Sequence, residues 1–95
     1  MKLPSNGELR ALYLIFPNSQ EYDEASDAYY AVHWTGPMLS SVYGVARRRA
    51  NTILVRLAKK GWLRRVGSRK RAVGWVMPPA VISLIGVFKE MGVKP

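Results

Sequence analysis

Apolar residues recur at helical spacing from Leu9 to Phe16, behind an S-x-x-E sequence that begins at Ser5, and Pro17 ends the pattern. In a capping box of this kind, the serine accepts a hydrogen bond from the backbone three residues on, and the glutamate reaches back to the serine's own backbone. We therefore predict a first helix over residues 6–16.

The next segment is polar and acidic, and an aromatic run follows it. Residues 17–28 indicate a loop or a loosely held helical turn. The β-favouring run that contains Tyr29, Tyr30 and Trp34 predicts a small strand. Aromatic rings in a cluster can form a stacking platform for single-stranded nucleic acid, but we interpret these three side chains as members of the core.

A short helix and a long helix are predicted in the middle of the chain. Thr35 and Pro37 are typical of a helix start, so residues 38–43 predict a short helix that Gly44 ends. Residues 46–60 are mostly good helix formers. Their apolar positions form one stripe, which we expect to be buried: Ala50, Ile53, Leu54 and Leu57.

The last third of the chain predicts a hairpin and a helix. Residues 62–66 and 72–77 favour strands and flank a polar loop. Residues 79–91 then predict a final helix, which carries more apolar surface than one face of a small domain requires. We expect residues 79–92 to form a dimer seam with a second copy of the chain. The side chains predicted for that seam are Val81, Leu84, Ile85, Phe88 and Met91.

The charge of the 95-residue chain changes sign along its length, and its net value is +9. Four of the six acids fall between Glu21 and Asp27, and the next acid is Glu90. Eleven of the fifteen Lys and Arg residues lie between Arg47 and Arg71, with no acid among them. A solvated basic face would explain a short run, but this many cations repel one another and favour an anionic partner, nucleic acid first.

Several other classes of protein are disfavoured by the residues present. The chain has no cysteine, which excludes disulfides and thiolate metal sites. Its longest apolar stretch is far shorter than the ~20 residues of a membrane span, so we expect a cytoplasmic, nucleoid-associated protein with no membrane partner. His33 is the only histidine, and neither Ser40 nor Ser41 has a His–acid partner that would make it a nucleophile. We expect no enzyme, no cofactor and no metal site.

Residues 38–60 have the arrangement of a helix-turn-helix. Such a motif needs a small residue where the helices cross, and Ser40 occupies that position. Gly44 supplies the turn, and Val45 fills the angle between the helices. The pattern L-x-x-L-x-x-x-G followed by two apolar residues closes the second helix at Gly61.

With these motifs, residues 36–78 resemble the winged helix-turn-helix regulators of the MarR, PadR and ArsR kind. The chain departs from them at Ala46, where they often carry Ser or Thr, and at Ala58 or Lys59, where they carry an acid. The resemblance implies one α+β domain over residues 1–95, with three N-terminal helices, a two-stranded wing, a C-terminal apolar helix and room for a third short strand. It also implies transcriptional regulation by binding double-stranded DNA.

The helical period assigns the predicted contacts to duplex DNA. The residues expected to contact bases from the major groove are Arg48, Asn51, Thr52, Val55 and Arg56. The residues expected to contact phosphates are Arg47, Arg49, Lys59 and Lys60. The wing residues expected on the minor groove or the backbone are Ser68, Arg69, Lys70 and Arg71. Because Arg64 and Arg65 alternate along a strand, we expect at most one of them to face DNA.

Two other functions remain open at this stage. The three consecutive arginines that begin the long helix also suit a nucleoid or RNA-associated protein that coats nucleic acid without sequence preference. A winged domain can also serve as a protein-interaction module in a larger assembly. A comparison of the affinities for random duplex DNA, for single strands and for folded RNA would distinguish these alternatives.

Overall fold

The computed structural model describes residues 1–67, 70 and 72–95, with residues 72 and 73 as backbone. The architecture is α+β, as predicted. The elements in order are α1 (Asn6–Ile15), a 3₁₀ turn (Phe16–Asn18), β1 (Gln20–Asp23), β2 (Ala28–Ala31), α2 (Gly36–Tyr43), α3 (Arg47–Lys59), β3 (Arg64–Gly67), β4 (Ala72–Val76) and α4 (Pro79–Glu90).

Helix α1 begins at the predicted capping box. The Ser5 hydroxyl accepts a hydrogen bond from the Glu8 backbone at 3.2 Å, and the Glu8 carboxylate accepts one from the Ser5 backbone at 2.8 Å. Leu12 and Ile15 are fully buried in the core. The helix ends one residue earlier than predicted because Phe16 enters the 3₁₀ turn that contains Pro17.

Strands β1 and β2 form an antiparallel hairpin that corrects the sequence-based prediction. Residues 20–23, predicted as loop, pair with β2, and Tyr22 lies opposite Tyr29 with 5.2 Å between the ring centroids. Tyr29 and Tyr30 are 68% and 50% exposed, so their predicted place in the core is wrong. The reason is that this two-stranded sheet has no buried face. Trp34, by contrast, is buried as predicted.

The helix-turn-helix forms as its residues predict. Thr35 caps α2 by accepting a hydrogen bond from the Met38 backbone. Gly44 ends α2 with φ of 79°, in the left-handed region that glycine adopts without strain. The Ser40 hydroxyl donates a hydrogen bond to the Val45 carbonyl, which holds the turn against α2. The predicted stripe of α3 is buried against α1 and α2: Ala50, Ile53, Leu54 and Leu57.

Strands β3 and β4 form the second antiparallel hairpin, with a bulge between Val66 and Gly67. The strand predicted around Tyr29, Tyr30 and Trp34 forms as β2. Trp34 lies beyond its end and makes a single bridge to the second hairpin, in which the backbones of Trp34 and Trp75 exchange hydrogen bonds of 2.7 and 2.8 Å. Gly74 permits this close approach, because a Cβ atom there would lie 2.8 Å from the Trp34 carbonyl oxygen. The bridge fixes the hairpin to the segment before α2.

Helix α4 packs on the core of the same chain. Val81 and Ile85, which were predicted for a dimer seam, are buried in that core. The Tyr13 hydroxyl donates to the Val93 carbonyl beyond the helix end, and the Lys89 ammonium lies 5.2 Å from the ring centroid of Phe16. Among the residues that the structure describes, no helix is both long enough and apolar enough to cross a bilayer.

Candidate nucleic-acid interface

One side of α3 is open to solvent along its whole length. We call this surface the α3 face, and it consists of Arg48, Asn51, Thr52, Val55, Arg56 and Lys59. All six side chains are exposed, and they line a shallow groove of about 390 Å³. Val55 is apolar yet 39% exposed at the centre of this polar surface. The residues predicted to contact bases therefore occupy one continuous surface, together with Lys59.

The start of α3 combines three cations with unsatisfied backbone donors. Arg47, Arg48 and Arg49 are all exposed. Ala46 occupies the cap position, and no side chain of the described residues accepts a hydrogen bond from the first turn. Free amides at a helix start favour an anion, because they are donors and carry the positive end of the helix dipole. Because this chain has Ala46 where the regulators it resembles often carry Ser or Thr, these backbone donors remain available.

Two polar side chains of the α3 face are already engaged within the protein. The Thr52 hydroxyl donates to the Arg48 carbonyl at 3.0 Å, which leaves its lone pairs and methyl group for an external partner. Asn51 packs against the start of α2. If Gly36 carried a side chain, its Cβ atom would lie 2.7 Å from the Asn51 Oδ1 atom. Glycine at this position therefore makes room for the Asn51 side chain.

Lys60, which was predicted to contact phosphate, forms an ion pair within the protein. Its Nζ atom donates to the Glu8 carboxylate, and the two side chains are 28% and 6% exposed. Burial raises the pKa of Glu8, but hydrogen bonds from Lys60 and Ser5 lower it by more, so its pKa lies below the ordinary value of 4.5. Lys60 thus has an acidic partner within the protein, and its contact with phosphate stays a prediction.

A groove borders the α3 face on each side. On the α1 side, a groove of about 470 Å³ separates the start of α1 from α3, and Arg49 and Arg56 line it. On the hairpin side, a groove of about 540 Å³ has Val55, Leu63 and Trp75 along it. Lys59, Arg64 and Arg65 also line that second groove. The α3 face thus lies between two flanks that both carry cations.

The wing prediction is only partly covered by the structure. Lys70 is exposed beyond the end of β3. Ser68, Arg69 and Arg71 lie outside the described residues. Arg64 and Arg65 are both exposed and both border the hairpin-side groove, although we expected at most one of them on that side.

Lys2 also borders this surface, although no local sequence pattern predicts it. Its backbone N–H donates to the Lys60 carbonyl at 3.2 Å, and the Trp62 indole N–H donates to the Lys2 carbonyl at 2.7 Å. These bonds hold Lys2 beside the end of α3, where its exposed side chain borders a groove with Arg56 and Lys59. Only a long-range contact brings Lys2 there, so its local sequence carries no signal of it.

The described residues were also compared with the requirements of a metal site, which needs several ligating side chains close together. Across residues 1–67, 70 and 72–95, no three His, Asp or Glu side chains come together as a potential metal site. His33 is exposed. The cationic α3 face and its two flanks are therefore the chemical feature that the candidate site offers.

No protein-family model matches the chain, and no curated protein matches its sequence. A solved structure is similar: MepR, a transcription regulator of the Staphylococcus aureus multidrug efflux pump MepA. The match has a TM-score of 0.62 and 14% sequence identity, and it covers 92% of this chain and 56% of MepR. The chain thus spans just over half the length of that protein. At this identity the likeness shows the fold alone.

Proposed function

We propose that this chain binds double-stranded DNA as a small transcriptional regulator. Helix α3 enters the major groove, and the β3–β4 hairpin lies on the adjacent backbone or minor groove. The α3 face is the observation that carries this proposal. Helix α3 has five cations and no acid, and its apolar stripe is buried while its cations are exposed. An α-helix of this kind fits the width of the major groove.

The proposal divides the contacts by their position on α3. Arg48, Thr52 and Val55 all line the groove of the α3 face. We assign Arg48 and Thr52 to base edges and Val55 to a thymine methyl group. Arg47 and Arg49 flank the uncapped helix start, which suits phosphate oxygens. Asn51 is exposed beside the start of α2, and we assign it to base contact with Arg48 and Thr52.

Dimerisation is part of the proposal, on a smaller surface than the sequence predicts. Val81 and Ile85 lie in the core and Phe88 packs against Trp62, so the apolar side chains that α4 exposes are Val87 and Met91, beside half-buried Leu84. Two copies joined there would present two α3 helices to a palindromic site.

Selection of bound sequences from a random duplex pool tests the function. The proposal predicts enrichment of one short motif, repeated with two-fold symmetry if the dimer forms. A matched selection with single strands and folded RNA is the control. If duplex binds without enrichment of a motif, or if RNA binds as tightly as duplex, the chain is a nucleic-acid coating protein and the regulator proposal is wrong. If no duplex binds, the proposal is wrong and the protein-interaction alternative remains.

A further inference from the structure

We infer that the N-terminal segment and the start of α1 form a second phosphate-binding flank, opposite the wing. This inference rests on the proposed binding of duplex DNA by α3. It assigns the groove that Lys2, Arg56 and Lys59 line to the sugar–phosphate backbone of one strand, with Lys2 and Arg56 as the cations that hold it. Neither role follows from the sequence, since Lys2 was missed and Arg56 was predicted to read bases.

The first argument is the placement of Lys2. Its backbone is held by both Lys60 and Trp62, so the position of the residue does not depend on its own side chain. The side chain is exposed and borders a groove of about 390 Å³ with Arg56 and Lys59. The segment thereby extends the cationic surface of α3 past the C-terminal end of the helix.

The second argument is the charge of that groove. Glu8 is the acid in its lining, and its carboxylate is 6% exposed and paired with Lys60. The ion pair leaves the surrounding cations uncompensated, namely Lys2, Arg56 and Lys59. A groove whose single acid is buried and neutralised favours an anion such as a phosphate group.

The third argument is the geometry of a helix in the major groove. The two strands of the duplex lie on either side of such a helix, so a phosphate backbone passes each flank. The hairpin supplies one flank through Arg64 and Lys70. Arg56 borders the α3-face groove and both grooves on the α1 side, so its position favours the backbone on that side.

The experiment uses the absence of cysteine in the chain. A single cysteine is introduced as Lys2→Cys or Lys70→Cys, and an iron–EDTA group attached to it cleaves nearby DNA. The inference predicts cleavage at two separate backbone positions, one on each side of the site that α3 occupies. Lys94→Cys is the control. It follows Val93, which Tyr13 holds towards the other end of α1, and no localised cleavage is expected from it.

Affinity supplies the second readout. Lys2→Gln removes one phosphate contact, so the slope of log K against log salt falls by about 0.9, and binding weakens roughly 8-fold at about 0.1 M salt. Preferred and scrambled duplexes are affected equally. Thermal unfolding stays unchanged, because the Lys2 backbone makes the structural hydrogen bonds.

The outcomes separate this inference from the proposed function. If the wild-type chain binds no duplex, both are wrong. If the wild type binds while Lys2→Gln keeps the full salt slope and the group at position 2 leaves the DNA intact, the second flank alone is wrong. Cleavage from position 2 together with a reduced slope supports it.

Discussion

Glu8 in the first turn of α1 accepts a hydrogen bond from the ammonium of Lys60, which lies 52 residues further along the chain at the end of α3. The same carboxylate closes the capping box with Ser5. One acid therefore fixes the start of one helix and the end of another. At the end of α3, the charge of Lys60 is thus paired, whereas the neighbouring Lys59 is exposed.

Replacing Glu8 tests the stabilising role of this pair. Glu8→Gln should destabilise the fold by roughly 1–3 kcal/mol at neutral pH, the usual range for a lost hydrogen bond to a charged group. Urea unfolding measures this difference. Glu90→Gln at the exposed end of α4 is the matched control and should change the free energy of unfolding little.

The pH dependence of unfolding follows from the lowered pKa of Glu8. A carboxyl whose pKa is lower in the folded state stabilises the fold fully above its ordinary value of 4.5, and this stabilisation is lost as the pH falls through the lowered pKa. The gap between wild type and Glu8→Gln should thus shrink as the pH falls below 4.5. A gap that stays constant down to acidic pH would contradict the role of the ion pair.

Substitutions on α3 and at the hairpin should affect binding in different ways. Arg48→Ala should weaken the preferred site by about 1–3 kcal/mol relative to scrambled duplex, because it removes a base contact. Lys70→Gln should weaken both duplexes alike and lower the salt slope by about 0.9. Titrations at several salt concentrations measure both. Equal losses on the two duplexes for Arg48→Ala would show that this residue contacts phosphate.

The bridge between Trp34 and Trp75 makes Gly74 sensitive to substitution. A Cβ atom at Gly74 would lie 2.8 Å from a backbone oxygen, so Gly74→Ala should cost about 1–3 kcal/mol by forcing the two segments apart. Gly86→Ala is the control, since the Cβ atom there meets only Phe16 at 3.7 Å. In the interior of α4, that change should stabilise the fold by about 0.5–1 kcal/mol. Thermal melting of the two variants should shift in opposite directions.

The proposed dimer is tested on the outer side of α4. Val87 and Met91 are 47% and 72% exposed, so Val87→Glu and Met91→Glu should leave the fold intact and shift the protein to monomer. Sedimentation velocity measures the shift. Val42→Glu, at an exposed valine of α2, is the control and should leave the dimer unchanged. If the wild type sediments as a monomer, α4 does not form the seam.

Much of the fold could be predicted from local sequence signals. The stripe from Ala50 to Leu57, the Ser5 capping box and the left-handed Gly44 all depend on residues within a few positions of one another. These elements can be predicted because each is buried on one side only, which gives its sequence a periodic apolar pattern. The exposed α3 face follows directly from the same helical period.

The missed features depend on contacts between distant residues or on the lack of a core. Strand β1 has no apolar alternation, because neither of its faces is buried. The turn residues Asp23 and Ser26, whose side chains are hydrogen-bonded, were the available signal for that hairpin. The pairing of Glu8 with Lys60 and the placement of Lys2 join opposite ends of the sequence, and no local pattern encodes them.

The central claim is that the α3 face is the surface that contacts duplex DNA, and amide chemical-shift mapping by NMR tests it most directly. Titration with a selected duplex at physiological salt should perturb the amides of α3, of the β3–β4 hairpin and of residues 2–8. The amides of the β1–β2 hairpin should stay unchanged. Perturbations confined to that hairpin or to α4, with α3 unaffected, would contradict the account.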